Sequence, residues 1–308
     1  MIPYRAQSAD IGRDDLYDVP ISRYTSIAEI NFDLEQPRRY IITPSEPSLP
    51  LDFLLIPRRH SRLLVGFHGA ENRTASDLPK FQFTRSLGAR EESALFLSDS
   101  TLLLHEKIHI GWHIGNKQTP LANQYSEVVK AAGKALAVDE TVLVGHSAGG
   151  FSAILVGAHV PNSRAISING QSVVTEYEPW TVTRIMDSVL IDAKSHTELL
   201  GLYGDRLDLR VALHSRLASS SFTYFAHVDD QATMGRLPHF ALLAKHFGVN
   251  PTDGGRTLHG DAFVPCRWTT SNPSAHALPG TVIPFVDLVV RGQATMDLGN
   301  LVDPTWQR

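Results

Sequence analysis

An α/β architecture, with a mainly parallel central sheet and helices on both faces, is predicted by three features of the sequence. Five short apolar runs, RLLVGF (62–67), ALFLSD (94–99), TVLVG (141–145), AISING (165–170) and FTYFAHV (222–228), read as strands buried on both faces. Segments with helical spacing of apolar residues lie between them, the alternation expected of βαβ units. The composition, 43% hydrophobic and 19% charged over 308 residues, is that of a folded globular chain large enough to bury a core without disulfides.

Taken in order, residues 1–60 read as a β-rich N-terminal extension, with SIAEINFDL, RRYIIT and DFLLI as short strands separated by Pro and Glu. The run 62–67 then ends in His68-Gly69. LANQYSEVVKAAGKAL (121–136) combines good helix formers with an apolar face, and residues 148–159 are small and apolar enough for a helix packed tightly on a sheet. Residues 171–220 are too long for one crossover and are expected to form an insertion containing Trp180, a candidate lid or, equally, extra helices with no role at the site. Residues 237–247 predict a helix after the fifth strand. PGTVIPFVDLVVRG (279–292) predicts a last helix, with a strand as the alternative suggested by its β-branched residues.

Composition also excludes several function classes. Cys266 is the single cysteine, so intrachain disulfides and cysteine-based metal clusters are ruled out. A net charge of −4 argues against nucleic acid or an anionic membrane surface as the main partner. The first 20 residues lack the apolar core of a secretory signal, and no window reaches about 18 apolar residues. A cytoplasmic location is therefore expected. No G-x-G-x-x-G or G-x-x-x-x-G-K-[ST] occurs, and no cofactor is expected. His105, His109 and His113 are spaced by four, which puts them on one face of a helix or a strand. Without H-E-x-x-H or a carboxylate third ligand, no metal is expected there.

The chemistry-bearing signal is VLVGHSAGGFSA, which contains Gly145-His146-Ser147-Ala148-Gly149, a G-x-S-x-G pattern. An apolar strand enters it and a small-residue helix leaves it, the setting of a nucleophile elbow. Such a turn is so tight that side chains two residues before and after the serine would collide with helix or sheet, hence glycines at 145 and 149.

With this pattern the chain resembles the α/β-hydrolase superfamily over roughly residues 60–290. More narrowly, HSAGGFSAILVG and the upstream LFLSDSTLLLHEKIHIGWHIG are similar to bacterial hydrolases associated with surface-glycan and accessory-secretion loci. The resemblance implies a single α/β-hydrolase domain and a serine nucleophile, Ser147, followed in the chain by an acid and then a histidine. Asp230, in the strand ending HVDD, is the expected acid, with Asp229 the adjacent alternative. His259, in GGRTLHGDAFVP and followed by Gly260, is the expected base. His276, in NPSAHALPG, stands in reserve, while His239 and His246 are read as belonging to a helix beside the sheet. The backbone N–H groups of Ala148 and Ala70 are the expected oxyanion donors, with Gly69 second to Ala70 in the loop His68-Gly69-Ala70. His68, Gly69, Trp112, His113 and His146 are expected around the substrate, with plain packing an equal alternative for Trp112, His113 and His146. The resemblance implies carboxylic ester hydrolysis through an acyl-enzyme, on a small-molecule or glycan ester such as an acetylated sugar. An acyltransferase to a glycan hydroxyl and a non-catalytic binding protein of the same fold are the alternatives.

Overall fold

The five apolar runs form adjacent strands because each has two apolar faces to bury. In the strand Arg62–Phe67, Leu63, Val65 and Phe67 enter one core cluster and Leu64 the other. Leu143 is likewise divided from Val142 and Val144 in the next strand over. Alternate side chains point to opposite faces, so a continuous apolar run is what a doubly covered strand requires.

The structure is a computed structural model and describes residues 12–45, 48–75, 77–235, 238–269, 272 and 274–292. Its strands are β1 (Arg13–Asp14), β2 (Val19–Tyr24), β3 (Arg38–Ile42), β4 (Leu51–Ile56), β5 (Arg62–Phe67), β6 (Ser93–Leu97), β7 (Glu140–His146), β8 (Ser163–Ile168), β9 (Ser220–His227), β10 (Gly255–Arg256) and β11 (Ala262–Cys266). They form one sheet in the order β1-β2-β3-β4-β6-β5-β7-β8-β9-β11-β10. The pairings β6-β5-β7-β8-β9-β11 are all parallel, whereas β3-β4, β4-β6 and β10-β11 are antiparallel.

The helices are α1 (Thr84–Leu87), α2 (Leu121–Ala135), α3 (Ala148–Gly157), α4 (Pro179–Ser188), α5 (His196–Leu207), α6 (Leu209–Ala212), α7 (His239–His246) and α8 (Ile283–Val290). Every residue of α3 is buried, as suits a helix apolar on all sides. In α2, Leu121, Tyr125, Val128 and Ala132 are spaced by three or four and face the same core as α3, while Phe285, Val286 and Val289 of α8 cover the opposite face. The stretch 171–220 is helical, carrying α4, α5 and α6. Segment 279–292 forms the helix α8 rather than a strand. Residues 1–11 and Leu237, the expected first residue of α7, lie outside the described residues.

Two expectations are corrected. SIAEINFDL is not a strand: Ile27–Glu29 form one 3₁₀ turn, and Ile27, Ile30 and Phe32 pack individually against the core. The stretch around AFVPC, read as turn-rich loop, contains β11, which pairs with β9. Its Pro265 lies beyond the two positions matched by β10, where its missing N–H leaves no ladder bond unmade. Among the described residues, no helix is long and apolar enough to cross a membrane.

Candidate active site

The turn between β7 and α3 holds Ser147 at φ 56°, ψ −124°, a left-handed conformation costly for a residue with a side chain. A Cβ on Gly145 would overlap the Gly149 carbonyl, and one on Gly149 would stand 2.6 Å from Phe67 O, so both positions require glycine. The serine is thereby raised at the carboxyl end of the parallel strands, where open α/β sheets place their sites.

The loops after the neighbouring strands converge on it. After β5, Gly69 approaches so closely that an added Cβ would lie 3.1 Å from His146 O and 3.7 Å from Ser147 Cβ. The Gly69 N–H is already donated to Gln82 Oε1 at 3.1 Å. Those of Ala70 and Ala148 make no hydrogen bond among the described residues. After β8, Gln171 donates from Nε2 to Ser147 Oγ at 3.1 Å, while its Oε1 accepts from Trp112 Nε1 at 3.1 Å. Gln171 and Trp112 are both buried. Among the described residues Ser147 Oγ makes no hydrogen bond to a histidine; the bond it makes there is with Gln171.

After β9 the two adjacent acids part. Asp229 is half exposed and pairs with Arg267. Asp230 is buried: its Oδ1 accepts from Ala232 N–H at 3.0 Å, and its Oδ2 accepts from Thr233 Oγ1 at 2.6 Å and lies 2.8 Å from His276 Nδ1. Burial alone would raise its pKa. The His276 bond and charge, with the Thr233 and Ala232 donors, outweigh that and hold the carboxyl below its ordinary value.

His276 is held by its backbone. Its carbonyl accepts from His146 Nε2 at 2.6 Å and from Asn169 Nδ2 at 3.1 Å, and Asn169 also holds Ala275 O at 3.0 Å. Because a carbonyl can only accept, His146 carries its proton on Nε2. Burial, with the neighbouring His276, pushes the His146 pKa down to about 4, so the clamp is neutral. The two rings lie 4.8 Å apart.

His259 is not brought to this site. Its Nε2 lies 2.9 Å from Ser220 O, at the amino end of β9. That is the opposite end of the sheet from Ser147: Ser220 is in register with Ser163 and Ser163 with Thr141, six residues before Ser147, which makes about 20 Å along the strands. The expected His-Gly loop is the turn between β10 and β11, and the histidine that meets Asp230 is the reserve candidate, His276, in the loop after β11. His239 and His246 both fall on α7. Buried His239 accepts from Ser172 N–H at 3.3 Å, and burial drives its pKa to about 4.

Other expected substrate contacts are taken up internally. His68 accepts Asp99 N–H at Nε2 (2.9 Å) and donates from Nδ1 to Gly69 O (2.9 Å), so neither ring nitrogen is left over. His113 is fully buried with Nδ1 2.9 Å from Ser152 Oγ, which itself donates to Ala148 O at 3.0 Å. Both histidines brace the loops around the elbow from beneath. His109 instead stacks on exposed Trp180 at 4.8 Å, and Tyr177 packs edge-on against Trp112 at 5.4 Å, which brings the 171–220 insertion to the rim.

No protein-family model matches the sequence, and no curated protein is similar to it. The backbone does match solved structures. The capsule O-acetyltransferase of Neisseria meningitidis serogroup A superposes with a TM-score of 0.52 at 15% identity, over 80% of this chain and 94% of that one. An S-formylglutathione hydrolase from Agrobacterium tumefaciens gives 0.52 at 12% identity, over 86% and 96%. Acetyl xylan esterase 1 from Thermoanaerobacterium sp. gives 0.51 at 12% identity, over 87% and 86%. The chain has the α/β-hydrolase fold.

Within an α/β-hydrolase fold, a strained serine, a buried carboxylate–imidazole pair and two unengaged backbone N–H groups are the parts that acyl transfer needs. Neither Asn169 nor Gln171 was singled out from the sequence as a site residue, although Asn169 lies near the end of the AISING run and Gln171 directly after it, at the sheet end where sites form. That position was the available signal.

Proposed function

We propose that the protein is a serine-dependent acyl hydrolase acting on small carboxylic esters. The observation carrying this reading is the Asp230–His276 pair, set beside an elbow that holds Ser147 in a strained backbone conformation. In this mechanism Ser147 Oγ keeps accepting from Gln171 while its own O–H is donated to His276 Nε2 as substrate enters; catalytic hydrogen bonds commonly tighten only then. Oγ attacks the acyl carbonyl and His276 takes its proton. Asp230 fixes the ring with Nδ1–H towards itself and stabilises the imidazolium. Ala70 and Ala148 N–H groups receive the oxyanion, with Gly69 excluded because Gln82 occupies its N–H. His276 then protonates the leaving alcohol, and water repeats the sequence on the acyl-enzyme.

Acetylated sugars are the favoured substrates. Supporting this are an acetyl xylan esterase and a capsule O-acetyltransferase among the structures of similar fold. Transfer to a glycan hydroxyl is the second reading, supported by the capsule O-acetyltransferase among the structures of similar fold. The test is hydrolysis of p-nitrophenyl acetate by the wild type and by Ser147→Ala, with products analysed with and without a sugar acceptor. The expected result is turnover lost by about 10⁴-fold or more in the variant. Undiminished turnover in Ser147→Ala would refute the proposal, and acetylated acceptor in place of acetate would select the transferase reading.

A further inference from the structure

The side chain of Gln171 is a fixed hydrogen-bond donor aimed at the nucleophile. Its orientation is not a choice between amide rotamers. Indole Nε1–H of Trp112 can only donate, so the atom facing it at 3.1 Å must be the amide oxygen, and the NH₂ group must face Ser147 Oγ. Both side chains are buried, and Tyr177 packs edge-on against Trp112. Gln171 follows β8, whereas Gly69 and Ala70 follow β5; the two strands flank β7, so this donor reaches Ser147 from the side opposite the β5 loop.

We propose that Gln171 is a catalytic residue whose N–H stabilises Oγ as the leaving group when the acyl-enzyme breaks down. The inference rests on Ser147 being the nucleophile and His276 its base. In deacylation, water attacks the acyl carbon with His276 taking a water proton. A C–O bond forms, the acyl C–Oγ bond breaks, and His276 returns that proton to Oγ as the acid product departs. Negative charge grows on Oγ as its bond breaks, and the Gln171 N–H is placed to receive it.

The donor acts unequally on the two half-reactions. In free enzyme the serine hydroxyl is a good acceptor, so Gln171 stabilises ground state and transition state alike and acylation gains little. In the acyl-enzyme Oγ is a conjugated ester oxygen, a poor acceptor. The bond strengthens only on the way to the transition state, and deacylation gains in full. Trp112 acts through Gln171 and is a positioning residue: without its N–H, the amide is free to rotate and offer oxygen to Ser147.

Stopped-flow hydrolysis of p-nitrophenyl acetate separates the steps, with active sites counted by a fluorophosphonate. Gln171→Met, close in volume but with no donor, should lower kcat about ten- to hundredfold and leave kcat/KM within about threefold of wild type, with a nitrophenol burst equal to the counted sites. Trp112→Phe, which keeps the ring and loses the donor, should move in the same direction by a smaller factor, and carries the prediction if Gln171→Met does not fold. Equal falls in kcat and kcat/KM would overturn the proposal, because a residue that merely shapes the pocket impairs acylation as much. Unchanged kinetics in both variants would also overturn it. Turnover surviving in Ser147→Ala would instead refute the nucleophile assignment itself.

Discussion

Two histidines followed by small residues compete for one role, and their partners separate them. His259 faces the Ser220 carbonyl, whereas His276 faces the Asp230 carboxylate and is clamped from behind by His146 and Asn169. We therefore expect His276→Ala to lower ester turnover by about 10⁴-fold while His259→Ala stays within about twofold of wild type, in steady-state assays on folded protein. Equal sensitivity of the two would contradict the assignment. Ser147 and its glycines were legible in the sequence, because steric necessity leaves a fixed spacing of residue types. The sequence also offered two adjacent carboxylates before a late histidine, and of these Asp230 meets His276 whereas Asp229 pairs with Arg267. The identity of the histidine was not: a His-Gly pair in a turn looks alike at either end of a sheet, and only strand direction tells the ends apart.

At the scale of elements, that ambiguity traces to β11. AFVPC is five residues long, holds a proline and follows Gly260-Asp261, so it reads as loop; pairing with β9 makes it a strand and sends the chain on to His276. SIAEINFDL failed in the other direction. Its alternating apolar residues suggest a strand, but they pack one by one around a single turn. By contrast β5, β7, β8 and β9 were evident, since strands covered on both faces need uninterrupted apolar runs. The N-terminal strands are tied in by charge as well as by ladder bonds. Arg39 of β3 is buried, with Nη1 2.6 Å from Asp14 of β1 and Nη2 2.5 Å from Asp52 of β4. Arg39→Ala would strand two buried carboxylates, and we expect a loss of about 3–5 kcal/mol, measured by urea denaturation. A shift below about 1 kcal/mol would show that these strands contribute little to the cooperative unit.

For the whole molecule, burying imidazoles links stability to pH. Burial pushes down the pKa values of His68, His113, His146 and His239, the last two to about 4. Each stays neutral in the fold while the unfolded chain binds a proton below about 6.5. Stability should therefore fall as pH drops below about 6.5, with each such histidine contributing in the same direction. Asp230 has the opposite chemistry and the same consequence. Its carboxyl is held below the ordinary value, so its contribution is present above about 3.9 and disappears as pH falls through the folded-state pKa. Thermal melts between pH 7 and 4.5 should show a steadily decreasing Tm, already evident above pH 5, before carboxylates titrate. A flat profile would mean these rings charge inside the fold. The same buried histidines brace the loops around Ser147, so the architecture that shapes the site also sets its acid limit.

The central claim is that Ser147 is a nucleophile activated by the Asp230–His276 pair. Covalent labelling with a fluorophosphonate, followed by peptide mass spectrometry, tests it most directly. The account predicts one adduct per chain, on Ser147, formed at least about a thousandfold more slowly in His276→Ala and at an unchanged rate in His259→Ala. An adduct on another residue, or labelling of Ser147 at the wild-type rate in His276→Ala, would contradict it.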